Sequence, residues 1–133
     1  MEDRRKKVLV VDSDDKLLTA LERLLEEESI EATTTWSAEE ALRLLCSNEF
    51  DVLLMGDELP ELSCEQLLRE AQRSGVRSAV LVMQSTTPRV PSIASYFISL
   101  GATGTVRRWN LTETLERVKI LPTLNGRRAA SVG

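Results

Sequence analysis

Three carboxylates stand almost side by side in Asp12-Ser13-Asp14-Asp15, directly after the apolar run Val8-Leu9-Val10-Val11. Such an oxygen-rich cluster suits a hard divalent ion such as Mg2+, which takes one or two carboxylates together with phosphate oxygens. A structural use of the same residues competes with this one. Asp14 or Asp15 can cap the helix that follows and favour its positive end, which leaves Asp12 as the pocket group. Without a cation these acids repel phosphate, and the Gly-rich phosphate cradle of a nucleotide- or flavin-binding fold is missing. Histidine is absent from the chain, which removes the usual general base and the commonest metal ligand. Cys46 and Cys64 lack the close spacing of a metal or redox pair. Cys64 falls near the start of a predicted helix, where the dipole can lower a thiol pKa; a small packing residue is the plainer reading.

The elements that position these residues alternate in type. Val8 to Val11 reads as a strand, and Leu17, Leu18, Leu21, Leu24 and Leu25 recur at helical spacing after it. Ile30 to Thr35 is rich in β-branched residues, and Ser37 with Glu40 predicts a capping box ahead of Ala41, Leu42 and Leu45; Trp36 fits a hydrophobic staple there. Asp51 to Met55 is apolar on both alternating faces, the pattern of a central strand covered from both sides. A turn at Leu59-Pro60 leads to a second capping box, Ser63 with Gln66, and to a helix stopped at Gly75. Ala79 to Met83 is the fourth strand. Pro88 and Pro91 suit the first turn of a helix carrying Ile93, Ala94, Phe97 and Leu100, closed by Gly101. A strand over Thr103 to Val106 and a helix over Thr112 to Ile120, capped by Asn110, complete the series.

Five strand-helix units with short connections predict an α/β fold: a doubly wound, five-stranded parallel sheet of (βα)5 order with helices on both faces. Ligands of such sheets sit at the carboxyl ends of the strands, which focuses attention on the residues after Val11, Met55, Met83 and Val106. The 133 residues predict one domain over 1–122, with 123–133 as a disordered tail or linker stub. The balance of 17 basic against 21 acidic residues argues against direct nucleic-acid binding. No apolar run approaches membrane-spanning length, so a soluble cytoplasmic protein is expected.

The ordered set Val8-Leu9-Val10-Val11-Asp12, Ser37-Ala38-Glu39-Glu40-Ala41-Leu42, Phe50-Asp51-Val52-Leu53-Leu54-Met55, Leu59-Pro60 and Gly101-Ala102-Thr103-Gly104-Thr105-Val106 resembles a response-regulator receiver domain. This is the chemotaxis-regulator-like, flavodoxin-like phosphoacceptor module of two-component signalling and phosphorelay. The resemblance runs from Lys7 to Ile120 and implies a signalling module, not an enzyme. It also implies where the chemistry should be. The acidic pair after the first strand falls on Asp12-Ser13, so one metal ligand is lost and Asp12 is vestigial. The phosphoacceptor position falls on Gly56, beside Asp57. The switch hydroxyl falls on Ser85 or Thr86, the lysine that pairs with the phosphoryl group in the family on Arg108, and the proline after it on Trp109, where a trans peptide is expected.

Phosphorylation needs a carboxylate nucleophile and an ion to neutralise developing charge, and glycine supplies neither. The resemblance therefore implies a degenerate pseudo-receiver with no catalytic residue, no cofactor and weak or absent Mg2+ binding, signalling by phosphorylation-independent protein contact. One alternative is a receiver phosphorylated unconventionally at Asp57, Asp14 or Ser13. Another, from a different class, is a small α/β cofactor-binding protein, which the missing phosphate loop and histidines disfavour. Arg108 and Asp12 should both lie near the strand ends, either bridged or with Arg107 and Arg108 solvated. The resemblance places partner and homodimer contacts on the face made by the fourth helix, fifth strand and fifth helix. Arg107, Arg108 and Trp109 cluster there, and Tyr96 is expected to flank them; an exposed aromatic among arginines suits a protein partner.

Overall fold

Short β-branched runs and amphipathic helical segments form ten elements in the computed structural model, which describes residues 5–85 and 92–124. In chain order they are β1 (Lys7–Val11), α1 (Asp15–Glu27), β2 (Glu31–Thr35), α2 (Ala38–Ser47), β3 (Val52–Gly56), α3 (Cys64–Arg73), β4 (Ala79–Gln84), α4 (Ser92–Ser99), β5 (Gly104–Arg107) and α5 (Leu111–Ile120). The strands form one sheet in the order β2-β1-β3-β4-β5, every pair parallel. This is the doubly wound (βα)5 architecture that the alternation predicts. β3 lies in the middle, and all five of its residues are buried.

Two hydrophobic layers follow from the period-2 alternation of strand side chains. Leu9, Val11, Leu53, Met55, Val80 and Val82 pack with Ala41, Leu67, Leu68 and Phe97 of α2, α3 and α4. Val8, Val10, Val52, Leu54, Leu81, Met83 and Val106 pack with Leu17, Leu21 and Val118 of α1 and α5. The sheet is thus covered from both sides, as a parallel sheet requires.

Side-chain caps fix where the helices begin. Asp14 is the N-cap of α1, accepting from the Lys16 amide, and Asn110 caps α5 through the Glu113 amide. Ser63 and Gln66 make the reciprocal box at α3. At α2 only half of the expected box forms: Ser37 accepts from the Glu40 amide, but the Glu40 carboxylate takes the Thr35 hydroxyl at 2.5 Å and the Ser37 amide turns to that same hydroxyl oxygen. Trp36 remains 57% exposed, so the staple expected of it is not what holds it. Gly75 (φ 78°) and Gly101 (φ 109°) stop α3 and α4 in the left-handed region that glycine tolerates best. Pro88 and Pro91 lie outside the described residues.

At the amino-terminal edge of the sheet, Asp51 stands just before β3 instead of within it. Its buried carboxylate accepts from the Lys7 amide at 2.8 Å and from the Leu124 amide at 2.6 Å. Lys6 caps the end of α5 by donating to the carbonyls of Val118, Lys119 and Leu121. Burial lowers the Lys6 pKa while the Asp51 charge opposes that shift. Leu124 is buried, so the packed chain extends past the boundary expected after residue 122, because a backbone amide at 124 completes the Asp51 carboxylate. Among the described residues no helix is long and apolar enough to cross a membrane.

Since Leu53 and Leu54 are fully buried on opposite faces, Leu53→Ala and Leu54→Ala should each destabilise by about 2–5 kcal/mol. Ile120→Ala, at a side chain left exposed, should change stability by less than about 0.5 kcal/mol. Urea denaturation of the three variants measures both expectations.

Candidate functional site at the strand ends

The alternation that builds the two layers also assembles the site. Asp12, Gly56 and Arg108 each stand two residues beyond a side chain of the α1/α5 layer: Val10, Leu54 and Val106. The ladder carries them onward, because the Asp12 amide donates to the Thr35 carbonyl at 3.2 Å and the Arg108 amide to the Gln84 carbonyl at 2.8 Å. All three therefore converge at the carboxyl edge of the sheet.

Asp12 is only 1% exposed, and an unpaired buried carboxylate would be costly. Arg108 resolves this with a two-point bridge, donating from Nε to Asp12 Oδ2 at 3.0 Å and from its terminal nitrogen to Oδ1 at 2.6 Å. The Asp14 amide also donates to Asp12 Oδ1 at 2.9 Å, and the Asp14 carboxylate lies 3.9 Å from the guanidinium. The hydrogen bond to Asp12 raises the Arg108 pKa above its ordinary value despite partial burial. The guanidinium side chain is 21% exposed, whereas Arg107 points to solvent and uses its amide on Glu113. Of the two sequence alternatives, bridging describes Arg108 and solvation describes Arg107.

Gly56 faces this bridge. A Cβ built on it would meet Asp12 Oδ2 at 2.5 Å and Asp12 Cγ at 3.2 Å, well inside ordinary contact. The carboxylate that would have to move is held by the arginine fork. A side chain of any kind at residue 56 therefore competes with the Asp12–Arg108 pair for the same space.

The remaining candidates separate from this centre. Ser13 is exposed. Asp57 takes the Ser85 hydroxyl and amide on its two oxygens, at 2.5 and 3.0 Å. Thr86 lies outside the described residues. Tyr96 does not simply flank the arginines: its hydroxyl donates across to Glu65 of α3 at 3.1 Å, which raises its pKa, and its ring packs on Phe97. Trp109 is 46% exposed and adopts φ 72°, with no cis peptide bond among the described residues. Cys64 is fully buried, and burial together with Glu65 and Asp57 pushes its thiol up to about 12, the reverse of activation by the helix dipole. Desolvation outweighs the dipole, so packing is its role.

Both Asp12 oxygens are committed to Arg108, Gly56 offers no ligand, and no group of three His, Cys, Asp or Glu side chains among the described residues could hold a metal. Two contacts escaped sequence reading. Glu61 supports the start of α2 from a distant loop, accepting from the Ser37 hydroxyl at 2.7 Å, which lowers its pKa. The Asp57–Ser85 pairing had no local signal, because it joins the ends of two different strands.

A family model for the response regulator receiver domain matches residues 8–118. The chain belongs to this family. Receiver domains are the signalling modules of two-component systems and act on partner proteins. The chain is 27% identical over 101 residues to the response regulator SaeR of Staphylococcus aureus, covering 76% of this chain and 43% of that relative's length. Among solved structures, it is similar to the receiver domain of Francisella response regulator 1452, with a TM-score of 0.82 and 24% identity over 88% of this chain and 96% of that one. The signal receiver domain of a putative Luxo repressor from Vibrio parahaemolyticus aligns with a TM-score of 0.80 and 16% identity, over 87% of this chain and 88% of that one. At these identities the structural likeness speaks for the fold.

The contact at residue 56 yields a test with a change of sign. Gly56→Ala should destabilise this receiver domain by about 1–3 kcal/mol through the crowding of Asp12. In an Asp12→Ala background the same change should be neutral or stabilising by up to about 1 kcal/mol, as expected for alanine over glycine within a strand. Equal costs in the two backgrounds, measured by urea denaturation, would show that Asp12 is not what keeps glycine at this position.

Proposed function

We propose that this chain is a degenerate receiver, a pseudo-receiver, whose strand-end pocket is filled by its own Asp12–Arg108 ion pair and which signals by protein contact without phosphorylation. The observation that carries this reading is the bidentate bridge lying within 2.5 Å of where a Gly56 side chain would begin. Acyl-phosphate chemistry needs a carboxylate nucleophile and a cation to neutralise the transferring group. Gly56 has no nucleophile, and Arg108 already neutralises Asp12, so Mg2+ binding is weak or absent in this reading. The unconventional acceptor Asp57 gains no support, because hydrogen bonds from Ser85 engage both of its oxygens.

The contact surface in this proposal is the α4-β5-α5 face around Arg107, Arg108 and Trp109, with a protein partner or a second copy of the chain as the bound species. Its support is physical. A tryptophan at φ 72° carries a backbone penalty of roughly 1–2 kcal/mol, and an indole left 46% exposed recovers little of it by burial within the chain. Arg107 beside it is exposed and adds a planar donor fork. The setting is a cytoplasmic two-component pathway, and the acidic balance of −4 gives no support to direct nucleic-acid binding by this domain.

Incubation with acetyl phosphate and Mg2+ should leave the intact mass unchanged; a gain of one phosphoryl group mapped to any residue of the pocket would overturn the phosphate-independent mechanism. For the surface, Trp109→Ala combined with Arg107→Glu should weaken partner capture or self-association by at least about 30-fold, the effect of losing a hot spot of about 2 kcal/mol. The melting temperature should stay near that of the parent. Unchanged association with an unchanged melting temperature would move the contact site elsewhere.

A further inference from the structure

Asp57 follows Gly56 and continues the ladder, its amide donating to the Met83 carbonyl at 3.1 Å. Its carboxylate then meets one residue at two points: the Ser85 hydroxyl donates to Oδ1 at 2.5 Å and the Ser85 amide donates to Oδ2 at 3.0 Å. The same hydroxyl also lies 3.2 Å from Glu58 Oε1. A single hydrogen bond leaves a chain end free to swing, whereas two from one residue to one carboxylate fix both its distance and its orientation. Hydrogen bonds to an ionised acceptor are also the stronger kind.

Ser85 directly follows Gln84, whose carbonyl accepts from the Arg108 amide at 2.8 Å. Arg108 in turn holds Asp12 through its guanidinium. Two acid anchors, one at the end of β3 and one at the end of β1, therefore meet on consecutive residues at the end of β4. The adjoining residue on the Arg108 side is Trp109, held at φ 72° between the pinned Arg108 and the tight turn closed by the Asn110 amide on the Arg107 carbonyl at 3.0 Å.

We propose that Asp57 is a tethering residue: it anchors the end of β4 through Ser85 and, by way of Gln84 and Arg108, steadies the backbone that presents Trp109. It is a positioning residue in this role, and its carboxylate acts as a fixed hydrogen-bond acceptor. The significance given to Trp109 rests on the contact reading above; the tether itself does not.

The test is amide exchange at Ser85, followed by NMR in the parent, Asp57→Ala, Asp57→Asn and Ser85→Ala proteins. Ser85 is exposed, so protection of its amide in the parent reports the Asp57 bond directly. Asp57→Ala should speed that exchange at least about tenfold, with Asp57→Asn intermediate, while core amides of β3 and β4 keep their protection. The Trp109 indole N–H resonance should shift in Asp57→Ala and stay in place in Glu26→Ala, a control at an exposed position on α1. Should Asp57→Ala fail to fold, Asp57→Asn and Ser85→Ala give the same readouts. Unchanged Ser85 exchange in a folded Asp57 variant overturns the tether. Faster exchange with an unmoved Trp109 resonance overturns its link to the surface. Phosphoryl transfer to Asp57 itself would overturn both this role and the phosphate-independent reading, whereas transfer to another residue would overturn only the latter.

Discussion

A buried carboxylate has to be answered, and the answer given to Asp12 shapes the whole carboxyl edge of the sheet. Arg108 reaches it from the far side, spanning from the end of β5 to the end of β1 with both prongs of the guanidinium engaged. Ion pairs of this kind seldom add net stability over a well-packed apolar alternative, since desolvation offsets much of the attraction. The asymmetry lies in burial: removing Arg108 leaves the Asp12 charge unpaired in a buried site, whereas Arg108 is partly exposed and has Asp14 nearby. The Arg108 pKa is raised by Asp12, so its share of stability is complete below the ordinary arginine range and is lost only as pH climbs beyond it. At any pH where the domain is folded, the arginine side of the pair is therefore constant.

The pair also fixes the residues around it. Gly56 is required for space: its backbone approaches Asp12 so closely that a Cβ would lie 2.5 Å from Oδ2. Arg108, held by its side chain at Asp12 and by its amide at Gln84, leaves the next residue little freedom, and Trp109 takes up the left-handed turn. Asp57, one residue beyond Gly56, points to a different partner and ties Ser85. The two acids thus take different hydrogen-bond partners, while the Asp57 charge still acts on Arg108.

The fold was legible because its signals are local and periodic. Two-faced apolar residues at Val52 to Met55 specified a central strand, and Ser63 with Gln66 specified a helix start that forms as read. The α2 start departed from its pattern because Thr35, on the neighbouring strand end, offered Glu40 a hydroxyl that the capping motif does not anticipate. Burial was harder to read than position: Cys64 sits at a helix N-terminus as expected, but packing beneath α3 desolvates the thiol, and that depends on residues far away in sequence. The same limit applies to Leu124, whose amide meets Asp51 across 73 positions, and to Tyr96, whose partner Glu65 lies 31 positions back. Asp12 and Arg108 were legible as neighbours because parallel strand ends share an edge, whereas the closeness of Gly56 to Asp12 is a matter of tenths of an ångström that no spacing rule encodes.

Trp109 stands where these constraints meet. Glycine or asparagine would occupy φ 72° at less expense, and burial of an indole is the usual return for a large aromatic side chain. Here both are forgone, since the ring is about half exposed on a backbone that disfavours it. The neighbouring anchors make the conformation affordable by fixing the chain on either side: Arg108 through Asp12 and Gln84, Asn110 as the cap of α5 through the Glu113 amide. In the contact proposed above, an aromatic whose backbone is held on both sides loses less freedom on binding than one on an open loop, which suits an anchor residue. The buried ion pair and the exposed indole are neighbours in the chain, so the hydrogen bonds that hold Arg108 also bound the turn on which Trp109 stands.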